Sequence, residues 1–354
     1  MTKGRARGAR RRPSQTDIAR MAGVSQTTVS LILSGNKSGI ALAESTRRRV
    51  LEAAEELGYA PDLVATRMAA ARNDILGLYT FTATFPTDIG HSYYPSLVGV
   101  EEAAAAQGQD VLLFTGSVGR AVPSRPGHVL RRVRVADGCL FLGRHIPEEE
   151  LEILLDEDYP FVHIGRRDEL GGRIPYIGAD YVVASAQLVQ RLVALGHSEI
   201  RYVRERDDAP ASTDREAGVL RGATAAGLST SDLVVRADGA EITAARVRGW
   251  IDGGVSAVIT EETDTGAVFT ALTRALDELG VRCPEELSLA ILGAPPASGW
   301  RGREIGGFTV PRREMGSAAV RLLVDLVNDT GTEPHQQLLA CRPVEGDTIA
   351  ELRG

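Results

Sequence analysis

Ser14-Gln15-Thr16-Asp17-Ile18-Ala19-Arg20-Met21-Ala22-Gly23-Val24-Ser25-Gln26-Thr27-Thr28-Val29-Ser30-Leu31-Ile32-Leu33-Ser34 is the stretch on which the reading of this chain turns. Ser14 and Asp17 have the S-x-x-D spacing of a helix start. The serine can accept an orphan N–H, and the acid meets the positive end of the helix dipole. Ile18, Ala19, Met21 and Ala22 then give a short apolar face, and Gly23, which can turn left-handed, stops it. Ser25 caps a second helix whose inward side chains are Val29, Ile32 and Leu33. Two short helices joined by a glycine turn make a helix-turn-helix unit, with the small Ala19 where the helices approach. A third helix is predicted from about Glu44 to Leu57, with Val50, Leu51, Ala54 and Leu57 on one stripe and Gly58 ending it.

Charge separates this head from the rest. The net charge is −7, yet residues 1–72 carry 13 Lys and Arg against 6 Asp and Glu, while the remainder holds 27 against 41. A basic head on an acidic body suits a polyanion as the head's own partner. Charge alone fits a solvated run equally well. The helix spacing decides for DNA.

At 354 residues the chain exceeds one ordinary domain, and 43% hydrophobic with 25% charged residues is a globular balance. No run of eighteen apolar residues exists, and the basic N-terminus has no apolar core behind it. Neither a membrane span nor a secretory signal is expected, and the cytoplasm is the expected location. Cys139, Cys283 and Cys341 lack ligand spacing, which argues against a disulfide scaffold or a zinc module. The histidines show no HExxH, the Gly171-Gly172 and Gly306-Gly307 pairs lack a phosphate-loop frame, and GxSxG is absent. No enzyme activity, metal or cofactor is expected.

From Asn73 onward, apolar runs at 75–81, 111–115, 139–142, 161–164, 200–203, 233–235, 257–260 and 288–292 read as strands. Helical patterns lie between them near 95–107, 147–156, 181–195, 213–226, 241–252, 265–279 and 312–328. Continuous apolar strands separated by helices mean parallel sheets covered on both faces. Roughly 280 residues of this pattern exceed one sheet, so two α/β lobes with a cleft between them are expected.

The head resembles the lactose-repressor (LacI/GalR) family. The resemblance is carried by Asp17-Ile-Ala…Ala22-Gly-Val-Ser-Gln-Thr-Thr-Val-Ser and Glu44-Ser-Thr-Arg…Val50-Leu-Glu-Ala-Ala…Leu57-Gly-Tyr-Ala-Pro61, with a slightly longer loop at 36–42. It implies a basic tail over 1–13, a DNA-binding domain over 14–60, a hinge helix or linker over 61–72, and a body over 73–354. The second helix then enters the major groove, with Gln26, Thr27 and Leu31 at base-reading positions. Ser14, Ser25, Thr28, Ser30 and Ser34 fall where the family contacts phosphate, a task that hydroxyls and helix N-termini suit. Leu31 stands where some members carry Arg, so it forgoes a bidentate guanine contact and can touch a thymine methyl. In the linker, Met68 holds the position of the minor-groove wedge, and Ala65 is small enough for paired hinge helices to approach.

The resemblance continues through Ala136-Asp-Gly-Cys-Leu-Phe-Leu, Ala179-Asp180, Leu195-Gly-His-Ser-Glu-Ile, Pro284-Glu-Glu-Leu-Ser and Pro311-Arg-Arg-Glu-Met-Gly. It implies the two-lobed fold of periplasmic sugar-binding proteins, a small-molecule effector between the lobes, and a homodimer on a near-palindromic operator. A tetramer is not suggested, since no heptad-bearing tail follows. Arg215, three residues before Gly218, matches the arginine with which relatives hold effectors; a surface ion pair is its plain alternative. The family's acidic pair after the 288–292 strand is Gly293-Ala294-Pro295 here, and its Asn-Asp near 265 has only Glu261, Glu262, Thr263 and Asp264 as neighbours. An ordinary pyranose is therefore disfavoured. Tyr93 and Tyr94 sit where a first-lobe loop could meet a ligand. The candidate effector residues are Arg215, Tyr94, Glu261, Asp264 and Gly293.

The reading is thus a ligand-responsive, DNA-binding transcriptional regulator, of repressor type. The alternatives are a pure binding protein of periplasmic type, against which the head and the missing signal argue, and a regulator with a degenerate pocket that answers to a protein partner or to no ligand.

Overall fold

The computed structural model describes residues 13–33, 42–59, 72–80, 93–115, 127–143, 147–330 and 335–352. The chain forms two compact units, Met1–Asn73 and Asp74–Gly354.

In the first unit, α1 (Gln15–Ala22) begins with the expected reciprocal cap. The Asp17 N–H donates to the Ser14 hydroxyl at 3.4 Å, and the Ser14 N–H donates to the Asp17 carboxylate at 2.9 Å. Gly23 closes the helix at φ 65°, a left-handed conformation that disfavours any side chain. The next helix, α2 (Gln26–Leu33), is capped by Ser25, whose hydroxyl accepts the Thr28 N–H at 3.1 Å. Ile18, Ala19, Ala22, Val29 and Ile32 join Val50, Ala53 and Ala54 of α3 (Glu44–Glu56) in a small core. Two expected core residues are not in it: Met21 is 45% and Leu51 46% exposed. Each residue advances about 100° around a helix, so both fall on the flank of a stripe whose centre is set by Ile18–Ala22 and Val50–Ala54. Ala53 takes the place assigned to Leu51.

The second unit contains two six-stranded sheets. Its strands are β1 (Ile75–Thr80), β2 (Asp110–Thr115), β3 (Gly138–Leu142), β4 (Phe161–Ile164), β5 (Tyr176–Ala179), β6 (Ile200–Arg204), β7 (Val234–Arg236), β8 (Ala257–Glu261), β9 (Ser288–Leu292), β10 (Gly306–Thr309), β11 (Gln336–Leu339) and β12 (Arg342–Val344). The first sheet runs β11-β5-β4-β3-β1-β2 and the second β12-β10-β9-β8-β6-β7. All pairings are parallel except β10 with β12. Strands β3, β4, β8 and β9 are buried along their whole length, as parallel strands covered on both faces must be.

Helices α4 (Tyr94–Ala106), α5 (His128–Val133), α6 (Glu148–Asp156), α7 (Tyr181–Ala194), α8 (Pro210–Ala225), α9 (Ala244–Asp252), α10 (Ala267–Glu278) and α11 (Arg312–Val327) complete the unit. Each expected helix is present; α8 starts earlier than expected because Pro210 is well placed in its first turn. The chain crosses between sheets after β5, after β10 and after β11. Helix α7 packs on α8 in the second lobe, whereas α11 returns to pack on α4 in the first.

Candidate functional site

In the head, Gln26, Thr27 and Ser30 lie exposed on the side of α2 away from the buried Val29 and Ile32, and Thr28 and Leu31 are half-buried. The Ser14 hydroxyl donates to Asp17 at 2.6 Å, and those of Ser25 and Thr28 share a hydrogen bond of 2.8 Å. Ser14 thus has both its N–H and its O–H inside the capping box. A phosphate would meet it only by opening that box. Ser34, Ala65 and Met68 lie outside the described residues, as do the tail before Pro13 and the linker before Arg72.

In the body, a cavity of about 780 Å³, mouth included, opens at the carboxyl ends of β3, β4 and β8, where α/β folds place their ligands. Among the described residues, four arginines face it: Arg166 and Arg167 after β4, Arg215 on α8, and Arg312 at the start of α11.

Arg166, from the first lobe, closes a fork on Asp214 of the second, with bonds of 2.7 and 2.5 Å. Arg312 reaches Glu262 at 2.7 Å, a second ion pair between an element packed on the first sheet and one at the end of a second-sheet strand. Arg167 is buried and donates to the Gly143 carbonyl, to Glu169 at 3.2 Å and to the His163 ring at 3.3 Å. His163 in turn sits 2.7 Å from the Gly165 carbonyl through Nδ1. Burial, then the Arg167 charge, hold the His163 pKa well below its ordinary value. The ring is therefore neutral, with Nδ1–H donating and Nε2 receiving from Arg167.

Arg215 is 3% exposed, so the surface ion pair considered from sequence does not describe it. Its guanidinium lies 4.3 Å above the Tyr181 ring centroid. Helix α8 comes close enough for this because residue 218 is glycine: a Cβ there would sit 2.5 Å from the Val182 carbonyl oxygen on α7. Burial opposes the Arg215 charge, but Tyr181, Glu261 and Glu262 outweigh it and hold the guanidinium protonated.

The sequence candidates fall in different places. Arg215 and Asp264 line the cavity. Tyr94 is the first residue of α4 and half-buried, and it is Tyr93 that lines the wall. Glu261 lies behind the wall, 3% exposed, accepting from the Tyr202 hydroxyl at 2.9 Å and the Ser212 hydroxyl at 3.1 Å. Gly293 explains a residue that the sequence left without a role. A Cβ on Gly293 would stand 2.4 Å from a Glu262 oxygen, so the missing side chain makes room for the Glu262 carboxylate, which also accepts the Ala294 N–H at 3.2 Å. The Glu262 carboxylate, at the end of β8, thus fills the space that a side chain at 293 would take.

Arg166, Arg167 and Asp214 were not singled out from sequence. A Gly-Arg-Arg directly after a buried strand was the available signal for the first two, since strand carboxyl ends are where such sites lie. Among the described residues no helix is long and apolar enough to cross a membrane.

The known proteins that the chain resembles agree with this division. A model of the bacterial regulatory proteins of the lacI family matches residues 16–62, and one of the periplasmic binding protein-like domain matches residues 189–349. Catabolite control protein A of Priestia megaterium is 26% identical over 327 residues, 88% of this chain and 92% of that protein. The HTH-type transcriptional regulator CelR of Thermobifida fusca is 28% identical over 343 residues, 93% of this chain and 96% of its own length. Among solved structures, a complex of the transcriptional regulator CelR with cellobiose superposes with a TM-score of 0.62 at 25% identity, over 95% of this chain and 100% of that one. The lac repressor dimer bound to operator and an anti-inducer shares the fold at a TM-score of 0.74 and 19% identity, over 96% of this chain and 100% of that one. With the helix-turn-helix head, the two-sheet body and these relatives in agreement, the chain joins a DNA-binding domain of the lacI family to a periplasmic binding protein-like domain, the arrangement of the lacI-type regulators it resembles.

Proposed function

We propose that the chain represses transcription as a homodimer on a near-palindromic operator, and that a small molecule bound between the lobes of its body sets its operator affinity. The observation that carries this reading is the exposed polar face of α2, built on a capped helix-turn-helix core, in a chain that also holds a polar cleft at its strand ends. Residues 14–60 act as the DNA-binding domain, 61–72 as the hinge and 73–354 as the effector and dimerisation body. Gln26, Thr27 and Leu31 read bases, while Ser25, Thr28, Ser30 and Ser34 meet phosphates, joined by Ser14 where its cap opens. Met68 wedges into the minor groove beside Ala65 of the paired hinge.

A symmetric dimer reads symmetric half-sites. The edge strand β2 supports pairing, because it exposes Val111, Leu112 and Leu113 in a row. The protein acts without catalysis, where the chromosome is. Its known relatives include a regulator solved with cellobiose, which supports a small polar ligand for the cleft here.

The test is selection of duplexes from a random pool by the full-length protein, followed by titration of the selected site. Recovery of a palindromic motif, bound at two subunits per duplex and lost in Gln26→Ala with Thr27→Ala, is expected. Recovery of no motif would overturn the reading.

A further inference from the structure

The hydrogen-bonding groups of the cleft are not evenly engaged. Among the described residues its carboxylates already have donors: Asp214 takes two bonds from Arg166, and Glu262 takes Arg312 and the Ala294 N–H. Glu261 behind the wall takes two hydroxyls, and Asp264 is also engaged. Arg215 is the opposite case. Its Nε is buried with no hydrogen-bond partner, and Nη1 makes one long bond of 3.5 Å to the Glu262 carbonyl. The nearest Glu261 and Glu262 carboxylate oxygens stand 3.9 Å away, beyond hydrogen-bonding distance. An arginine has five N–H donors, no acceptor, and cannot shed its charge. Among the described residues, what the cleft offers a ligand is therefore a charged fork with donors to spare, beside carboxylates that are already engaged.

Tyr181 fixes which part of that fork a ligand meets. One face of the guanidinium is covered by the ring, so a ligand approaches its edge in plane. Two coplanar anionic oxygens match this edge. A sugar hydroxyl matches it less well, because it brings a proton of its own that needs an acceptor, and the cleft carboxylates are taken up by Arg166, Arg312 and buried hydroxyls. A phosphate places tetrahedral, more highly charged oxygens beside Glu262.

We propose that the ligand of this cleft carries a carboxylate, which docks edge-on to Arg215. The proposal rests on the reading of the cleft as the effector site and narrows the effector to a small organic acid with a polar body, a sugar acid being the simplest fit.

The experiment uses the full-length protein and matched probes: gluconate, glucuronate, galacturonate and cellobionate against glucose, galactose, cellobiose and glucose 6-phosphate. Calorimetric titration measures binding, and anisotropy of the selected operator duplex measures response. At least one acid is expected to bind about 100-fold more tightly than its neutral parent and than the phosphate. Arg215→Gln and Arg215→Lys should both lose most of that preference while still binding the operator and keeping the calorimetric transition of the body, which shows that they fold. Failure of every acid to bind the wild-type protein overturns the proposal. So does a neutral sugar or the phosphate binding as tightly as the acids, or a preference for acid that survives both substitutions. A neutral sugar that shifts operator affinity would leave the effector reading standing without its carboxylate. An acid that binds at Arg215 without shifting operator affinity would do the reverse.

Discussion

The head and the cleft are built by opposite means. In the head, the side chains proposed to face DNA from α1 and α2 follow one another within some twenty residues, and the caps and turn that place them are local: Ser14 with Asp17, Ser25 with Thr28, Val24 back to Ala19. In the cleft, Arg166 meets Asp214 across 48 positions, and Arg215 meets the Glu262 carbonyl across 47. A local motif keeps its function in its spacing. A cleft between lobes keeps it in the topology that brings strand ends together.

The largest test of the contrast lies in the small core of the head. Ile18 is fully buried there, and Ile18→Ala should cost about 2–5 kcal/mol, enough to abolish operator binding. Calorimetry should show the transition of the body unmoved. Leu51→Ala, in the same head but at an exposed position, should stay within about 0.5 kcal/mol. Equal effects of the two would mean that the stripe has been drawn on the wrong side of α3.

The ion pairs of the body come next. Arg166→Ala leaves Asp214, a nearly buried carboxylate, without its fork, and should cost on the order of 2–3 kcal/mol in urea unfolding, somewhat below a fully buried pair. Arg134→Ala removes the exposed bridge to Glu157 and should cost under about 0.5 kcal/mol. If Arg166→Ala costs no more than Arg134→Ala, the Arg166–Asp214 pair does not hold the lobes together.

Acid should weaken the body through His163. The folded ring has a pKa well below its ordinary value, while the unfolded chain titrates near 6.5, so below that pH the unfolded state binds more protons. The contribution is complete above pH 6.5 and falls by up to about 1.4 kcal/mol per pH unit as the pH drops toward the folded value. His163→Gln should flatten that slope between pH 6.5 and 5. The head has no histidine in residues 1–72 and lacks this component. An unchanged slope in the variant would place the acid sensitivity elsewhere. Smallest of the four, Ser14→Ala should cost the head about 1 kcal/mol by removing one side of its capping box.

These tests also mark what the sequence makes legible. Local rules are enough for α1 and α2, since a cap and a glycine turn act within a few residues. Eight strands of the body show as apolar runs. The other four hide for physical reasons. Tyr176-Ile-Gly-Ala and Gly306-Gly-Phe-Thr carry glycines, Gln336-Gln337 begin an edge strand with polar residues, and Pro343 sits in a short edge strand that tolerates it. Spacing suggests Arg215 only through its likeness to the family. The partners that shape its site lie on other strand ends. The fit of Glu262 beside residue 293 is visible only as the Cβ that Gly293 lacks.

The salt dependence of operator binding tests the central claim most directly. Anisotropy of the selected duplex, titrated with full-length protein from 50 to 200 mM salt, should show affinity falling by about 10³-fold or more, as neutralised phosphates release their counterions. An affinity unchanged across that range would contradict the account of the head as a DNA-binding domain.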